Sequence, residues 1–530
     1  MAAAKKIILI NGDFHTYDER RKHAQAIAVE NGRIIDVGGN ARIRPYARRG
    51  FSIVDLRGQC VIPGITDAHL HLLSLGEHYH RVNLDGVDSL KKVTGILRKA
   101  ASKLKKGQWL MGRGWNKNLW GEAFPDKSIL DAITVNPVSL ASKDGHLLWV
   151  NSTALNIFKM DKWSIDPDGG VIEKDENGEP TGILKENAVN IAERYIPELT
   201  FEERMEAILE AQKRLLKMGI IGVGECDSKI GLFSVYHNLD KAGQLRLRVF
   251  KMISPETLQR TIDFKFKTGT GTEHLRTGCL KLFADGALGS QTALMFEPYD
   301  GSDDNYGVEA TGPRLMGEYI RQAFGAGISV AIHAIGDKAN YLALKAIGKY
   351  SHTAQTHQLR PRIEHAQLLR KSDIRLFKYY GIIASVQPIH ATSDRDIGEH
   401  YWGTRTAYAY PFRAIELSRA TLAFGSDAPI ESANPIAGIH AAVTRKRTGE
   451  KRRGWHPEQR LATRTAVQCY TMGSAFACCY DDIIGSISVG KCADFVVLSE
   501  NIFKSKPDDI INAEIVATAV DGRIAAGKLG

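Results

Sequence analysis

Eight short apolar runs recur along the chain: Val61 to Thr66, Ile220 to Cys226, Arg248 to Ile253, Gly278 to Phe283, Ile328 to His333, Pro361 to His365, Ile382 to Gln387 and Thr421 to Gly425. Stretches of helical periodicity separate them, which predicts repeated βα units and a parallel sheet. Phe201 to Met218 shows the helical part. Thr200 and Glu203 stand in capping-box positions, Met205, Ile208, Leu209, Leu215 and Leu216 share one face, and Gly219 follows the end. Eight parallel strands with helical crossovers predict an α/β fold of the (β/α)8 type, the TIM-like barrel, whose chemistry sits at the C-terminal strand ends.

The two ends of the chain follow another rhythm. Lys6 to Ile10, Ala26 to Val29 and Arg33 to Val37 alternate with period two and are separated by Asn11-Gly12 and Asn31-Gly32, both hairpin signals. Asp494 to Leu498 and Ile515 to Val520, followed by Asp521-Gly522, look the same. A few short strands cannot bury a core alone. Residues 1–60 and 482–530 are therefore expected to form one small β-sandwich domain, with the barrel over 61–481. Residues from about 80 to 200 exceed any ordinary βα connection and read as a large insertion after the first barrel strand, a lid or specificity element.

With 530 residues, 43% of them hydrophobic, the chain is too long for one core and too apolar for disorder. Ile7 to Ile10 is too short for a signal-peptide core, and no run approaches the ~20 apolar residues that span a bilayer. Seven cysteines without a C-x-x-C pair argue against a disulfide framework and a thiolate zinc site. The expectation is a soluble cytoplasmic protein. The net charge is +10, but 70 basic and 60 acidic residues are interleaved. The densest basic stretch, Arg445 to Arg460, contains two Glu and reads as a solvated loop. The expected partner is a small-molecule substrate, with no nucleic acid and no membrane; a homo-oligomer stays open.

Strand ends carry the candidate chemistry. Asp67-Ala68-His69-Leu70-His71 follows the first run, and period-two alternation sends both imidazoles to one side. His333 ends the fifth run, His365 the sixth, and Asp427 follows the eighth. Four imidazoles and a carboxylate at C-terminal strand ends form a ligand set for a divalent metal. Lys281 lies in the fourth run. A lysine ammonium has no lone pair, so position alone leaves it open between a partner for Asp285 or another carboxylate and a functional group.

The segments PGITDAHLHL, SKDGHLLWVNSTAL, LKLFADGALGSQTA, HAIGD, RIEHAQ and GSDAP resemble the amidohydrolase superfamily, and within it the YtcJ-like branch, often called amidohydrolase family 3. The resemblance covers nearly the whole chain. It implies that Lys281 is carboxylated by CO2, giving a carbamate whose oxygens bridge two metals. His69, His71 and Asp427 would hold one metal, and His333 and His365 the other. Zinc suits these ligands first, though Fe, Ni, Mn or Co also accept imidazole and carboxylate. The implied reaction is hydrolysis of an amide-type C–N bond in a small N-acyl amine, formamide or cyclic amide by a metal-activated hydroxide, with Asp427 as proton acceptor and donor.

The resemblance also makes His146 and Glu186 substrate-binding residues, although a capping role for His146 and a helix N-terminal role for Glu186 explain them without substrate. Trp115, with Trp120, lines a pocket or packs the insertion. His390, His400, His440 and His456 lie in loop-like or helical contexts that complete no ligand set. A mononuclear deaminase on the same scaffold is disfavoured by Lys281, and by Ala334-Ile335-Gly336-Asp337 after His333, where such deaminases carry a Glu. A non-catalytic scaffold or regulatory protein is disfavoured because all six ligand positions are filled.

Overall fold

The computed structural model describes residues 6–84, 86–120, 124–142, 147–167, 170–227, 229 and 231–529. It comprises two compact units, Met1–Leu75 with Ile208–Gly530, and Gly76–Ala207.

In the first unit eight parallel strands lie side by side in chain order. They are β1 (Ile65–Leu70), β2 (Ile220–Glu225), β3 (Arg248–Ile253), β4 (Leu275–Phe283), β5 (Val330–Ala334), β6 (Arg362–His365), β7 (Ile383–Val386) and β8 (Leu422–Phe424). All but β4 are six residues or shorter and almost wholly buried, as strands covered on both faces must be. The barrel closes just past the ends of β1 and β8: the Asp427 N–H donates to the His69 carbonyl at 2.7 Å, and the His71 N–H to the Ala428 carbonyl at 2.9 Å. Residues expected to carry chemistry thus also seal the sheet.

The first apolar run divides where a single strand was expected. Cys60–Pro63 pairs antiparallel with Phe495–Leu498 in a terminal sheet, and only Ile65–Leu70 enters the barrel. Gly64 allows the handover, because a Cβ there would stand 2.5 Å from Ile221 Cγ1. The terminal sheets therefore reach to Pro63.

Those sheets form a sandwich. Arg33–Gly38, Ala26–Glu30, Lys6–Ile10 and Ser52–Asp55 make one; Arg523–Gly527, Ile515–Val520, Phe495–Leu498, Cys60–Pro63, Asp13–Asp18 and Arg21–Ala24 make the other. Leu9, Ile27 and Val29 of the first share a core with Phe14, Val61, Phe495 and Val497 of the second. Asn31-Gly32 and Asp521-Gly522 both turn hairpins, with every φ positive, as the primed turns need. Asn11-Gly12 does not. Its flanking strands belong to different sheets, so it carries the chain from one to the other.

Arg248 of β3 ties this sandwich to the barrel. Its guanidinium is fully buried, with Nε 2.7 Å from Asp494 and Nη2 2.6 Å from Asp521. Arg248→Ala is expected to cost about 3–5 kcal/mol in urea unfolding, because it leaves buried carboxylate without its partner. Burial alone would raise the Asp521 carboxyl, but the hydrogen bond from His274 and the Arg248 charge hold it well below the usual range. The folded state therefore binds fewer protons here than the unfolded chain. This contribution is complete above about pH 4 and is lost as the pH falls further, so acid should narrow the gap between wild type and variant.

The basic stretch is more folded than a solvated loop. Arg445 is fully buried, donating to the Trp455 and Tyr410 carbonyls, while Arg447 and Arg452 pair with Asp396. The second unit holds a six-stranded mixed sheet with an apolar cluster on each side, Leu148, Phe158 and Leu184 in one, Leu97, Trp115, Leu140 and Trp149 in the other. No helix among the described residues is long and apolar enough to cross a membrane.

Candidate metal centre

Each histidine at the barrel mouth is held by one ring nitrogen. His69 Nδ1 donates to Glu364 at 2.5 Å, His71 Nδ1 to Asp227 at 3.1 Å, and His365 Nδ1 to Gln387 at 2.8 Å. These bonds fix the ring orientation and leave Nε2 turned toward the barrel mouth. Both free nitrogens of the H-x-H pair face one oxygen: Asp427 Oδ1 lies 3.3 Å from His69 Nε2 and 3.4 Å from His71 Nε2. His333 is turned the other way, its Nε2 donating to the Gly286 carbonyl at 2.9 Å. Ring centres are 4.8 Å apart for His69 and His365 and 4.5 Å for His333 and His365.

The supporting groups are buried and charged. Glu364 is clamped by Arg362, whose Nη2 also donates to the Ala68 carbonyl. Asp227 accepts from the backbone and hydroxyl of Ser74 at 3.0 and 2.7 Å. Three residues here, His365, Ala366 and Asp427, take positive φ (74°, 45° and 61°), a strain of ~1–3 kcal/mol each that the surrounding bonds must sustain.

The electrostatics favour positive charge around Asp427 and Asp227 and neutral imidazoles at His333 and His365. Burial would raise the Asp427 carboxyl, yet hydrogen bonds with His390, His69 and His71 hold it well below its ordinary range. Burial would lower the His71 imidazole, but Asp227 and Asp427 push it up to about 9. Burial, with the Lys281 charge adding, lowers His333 to about 4, and burial beside His333 and His69 puts His365 well below the usual imidazole range. These two are neutral at pH 7, the form that binds metal.

Lys281 is 2% exposed and, among the described residues, makes no hydrogen bond or ion pair; its Nζ lies 5.2 Å from the centre of the Phe283 ring. Asp285 is not its partner. That carboxylate accepts from the backbone of Leu294, Ile335 and Gly336 at 2.9, 3.1 and 2.8 Å, and pins the loops after β4 and β5.

His390 corrects the sequence reading. It lies on a one-turn helix, His390–Ser393, with Nε2 3.3 Å from Asp427 Oδ2. Ligand atoms of His365, His390 and Asp427 fall within 4.8 Å of one another, as do those of His69, His71 and Asp427. Glu364, Asp227 and Gln387 were also missed. Glu364 and Arg362 had a signal, two opposite charges at i and i+2 in the four-residue strand that ends at His365.

Trp115 packs the core of the insertion, 1% exposed, with Nε1 donating to the Leu140 carbonyl at 2.8 Å and its ring beside Trp120 and Trp149. That burial favours packing over a pocket wall. Glu186 ends the strand Pro180–Glu186, immediately before the helix Asn187–Glu193; its side chain lies outside the described residues, as does all of His146.

The donor set therefore fits a divalent metal, with imidazoles held by their far nitrogens, one shared carboxylate and a strong local demand for positive charge. Barrel and centre together define a metal-dependent hydrolase. The chain belongs to the amidohydrolase family, whose sequence model matches residues 52–526. It is 35% identical to Protein LONG AFTER FAR-RED 3 of Arabidopsis thaliana, over 98% of this chain and 91% of that one. It is 32% identical to the putative amidohydrolase YtcJ of Bacillus subtilis, over 99% of this chain and all of the relative. Among solved structures, an uncharacterized metal-dependent hydrolase from Pyrococcus furiosus superposes with a TM-score of 0.80 at 30% identity, covering 94% of this chain and all of the other.

Proposed function

We propose that the protein hydrolyses the amide-type C–N bond of a small substrate at a centre of two divalent metals, zinc first among them. His69, His71 and Asp427 would hold one metal, His333 and His365 the other, and carboxylated Lys281 would bridge them. The observation that carries this reading is Lys281, a buried amine that makes no hydrogen bond or ion pair among the described residues and whose charge acts on both His333 and His365. Reaction of that amine with CO2 would convert it to a carbamate. The resulting carbamate is an anion with two oxygens, the chemistry that a pair of cations requires.

Metals held there supply Lewis acidity toward a carbonyl and lower the pKa of water from 15.7 to about 7. The chain supplies the proton handling. Asp427 turns Oδ1 toward His69 and His71 and Oδ2 toward His390. Oδ2 accepts the proton of the attacking water and returns it to the departing nitrogen. An amine leaves only when protonated, so a carboxylate placed to carry that proton suits an amide better than an ester, whose alkoxide leaves more easily. His390 keeps Oδ2 aimed at the reacting atoms. Substrate contacts are assigned to His146 and Glu186 on the family resemblance.

The test is amine release from a panel of N-formyl amines, N-acyl amines and cyclic amides, with matched esters, by the zinc-loaded protein. At least one amide should be cleaved, with the activity removed by a chelator and restored by zinc. Cleavage of esters alone would contradict the assignment.

A further inference from the structure

A second group of metal-ligating side chains stands in the terminal sandwich. Asp13 and His15 are two residues apart on the strand Asp13–Asp18 and so share a face, and His15 sits directly opposite His23 of the edge strand Arg21–Ala24. The edge pair of this six-stranded sheet thus gathers a carboxylate and two imidazoles, with ligand atoms within 4.8 Å of one another.

His15 is the anomaly that points to a ligand. It is 5% exposed, and neither of its ring nitrogens has a hydrogen-bond partner among the described residues. Buried polar atoms are nearly always paired, so two orphan nitrogens on one ring need an explanation. Nε2 lies 3.6 Å from Asp13 Oδ1, too long for a hydrogen bond. It is close to the ~3.3 Å that separates two ligands of a tetrahedral zinc with bonds of about 2.0–2.1 Å.

The surroundings preorganise the pair. The Phe503 ring stacks on His15 at 3.8 Å and 20°, fixing the imidazole plane. Asn501 Nδ2 donates to Asp13 Oδ2 at 2.7 Å, which leaves Oδ1 turned toward His15. This is the outer-shell support that metal-binding carboxylates ordinarily have. His23 is exposed, its ring centre 4.8 Å from that of His15, and is free to close as the third ligand. Burial lowers His15 to about 4, opposed by Asp13 and helped by His23, Arg464 and Lys504, so the ring keeps its lone pair at pH 7. Lys504 stands 3.6 Å from Asp13 Oδ2, but its side chain is 78% exposed and can turn to solvent.

We propose that Asp13, His15 and His23 form a second site, independent of the barrel centre, for a divalent transition metal of the zinc type, with water in the remaining position. Bound metal would pin the edge strand Arg21–Ala24 to its neighbour.

The test uses the full-length protein with its barrel centre already loaded, dialysed to equilibrium against micromolar free Zn²⁺. Wild type should hold one zinc per chain more than His23→Ala and more than Asp13→Asn, while all three keep the same hydrolytic rate. His23 is exposed, so its truncation leaves the fold intact, which circular dichroism checks. Equal zinc content in wild type and both variants would overturn the site.

Discussion

Replacing Lys281 with methionine should leave a folded protein that has lost the metals of the barrel centre and, with them, activity on the order of 10³-fold. The figure follows from the several kcal/mol that a catalytic metal contributes, at about 1.36 kcal/mol per decade of rate. Methionine keeps the apolar stem and most of the volume, so the fully buried neighbours of β4 remain packed. Only the nitrogen that takes up CO2 is removed. A lysine that merely filled space would show the opposite pattern, with rate and metal retained. Elemental mass spectrometry and kcat/KM on the same sample separate the two, and a variant that keeps both would contradict the bridging role.

Asp427→Asn should lower kcat by about 10²–10⁴, the usual contribution of a positioned acid–base group. Asparagine is nearly isosteric and keeps the positive-φ backbone available, since Asn tolerates that region better than most residues. What it loses is the charge that His69, His71 and His390 surround, and the ability to accept a proton. KM should move less than kcat, because the lost interaction belongs to the proton-transfer step. A variant within tenfold of wild type in kcat would remove Asp427 from the acid–base role.

The barrel was legible because its signal is repeated. Eight apolar runs with helical spacers can hardly be anything else, and all eight mark strands of one sheet. The first was misplaced for a local reason: Val61 to Thr66 reads as one apolar run, yet Pro63-Gly64 breaks it between two sheets. Asn11-Gly12 failed as a hairpin because a turn dipeptide reports local backbone geometry and not which sheet the following strand joins.

The gathering of His69, His71, His333 and His365 at the barrel mouth was readable since strand ends are periodic and their mouth-facing positions can be counted. His390 was not, because it reaches Asp427 from a one-turn helix after β7, where no period foretells direction. Lys281 needed the structure for another reason. Sequence proximity offered Asp285 as its partner, and only the three backbone donors on Asp285 show that carboxylate already engaged. Trp115 shows the limit of composition: a tryptophan in a turn-rich insertion looks like a pocket wall until its indole N–H is seen bonded within the insertion's own core.

The most direct test of the carbamate-bridged centre is X-ray diffraction from crystals of the zinc-loaded protein, with anomalous data collected on both sides of the zinc absorption edge. Two anomalous peaks are expected at the barrel mouth, among His69, His71, His333, His365 and Asp427, with extra density for a carboxyl group on Lys281 Nζ between them. A single peak with bare Lys281 would contradict the bridge, and no peak among those residues would contradict the centre itself.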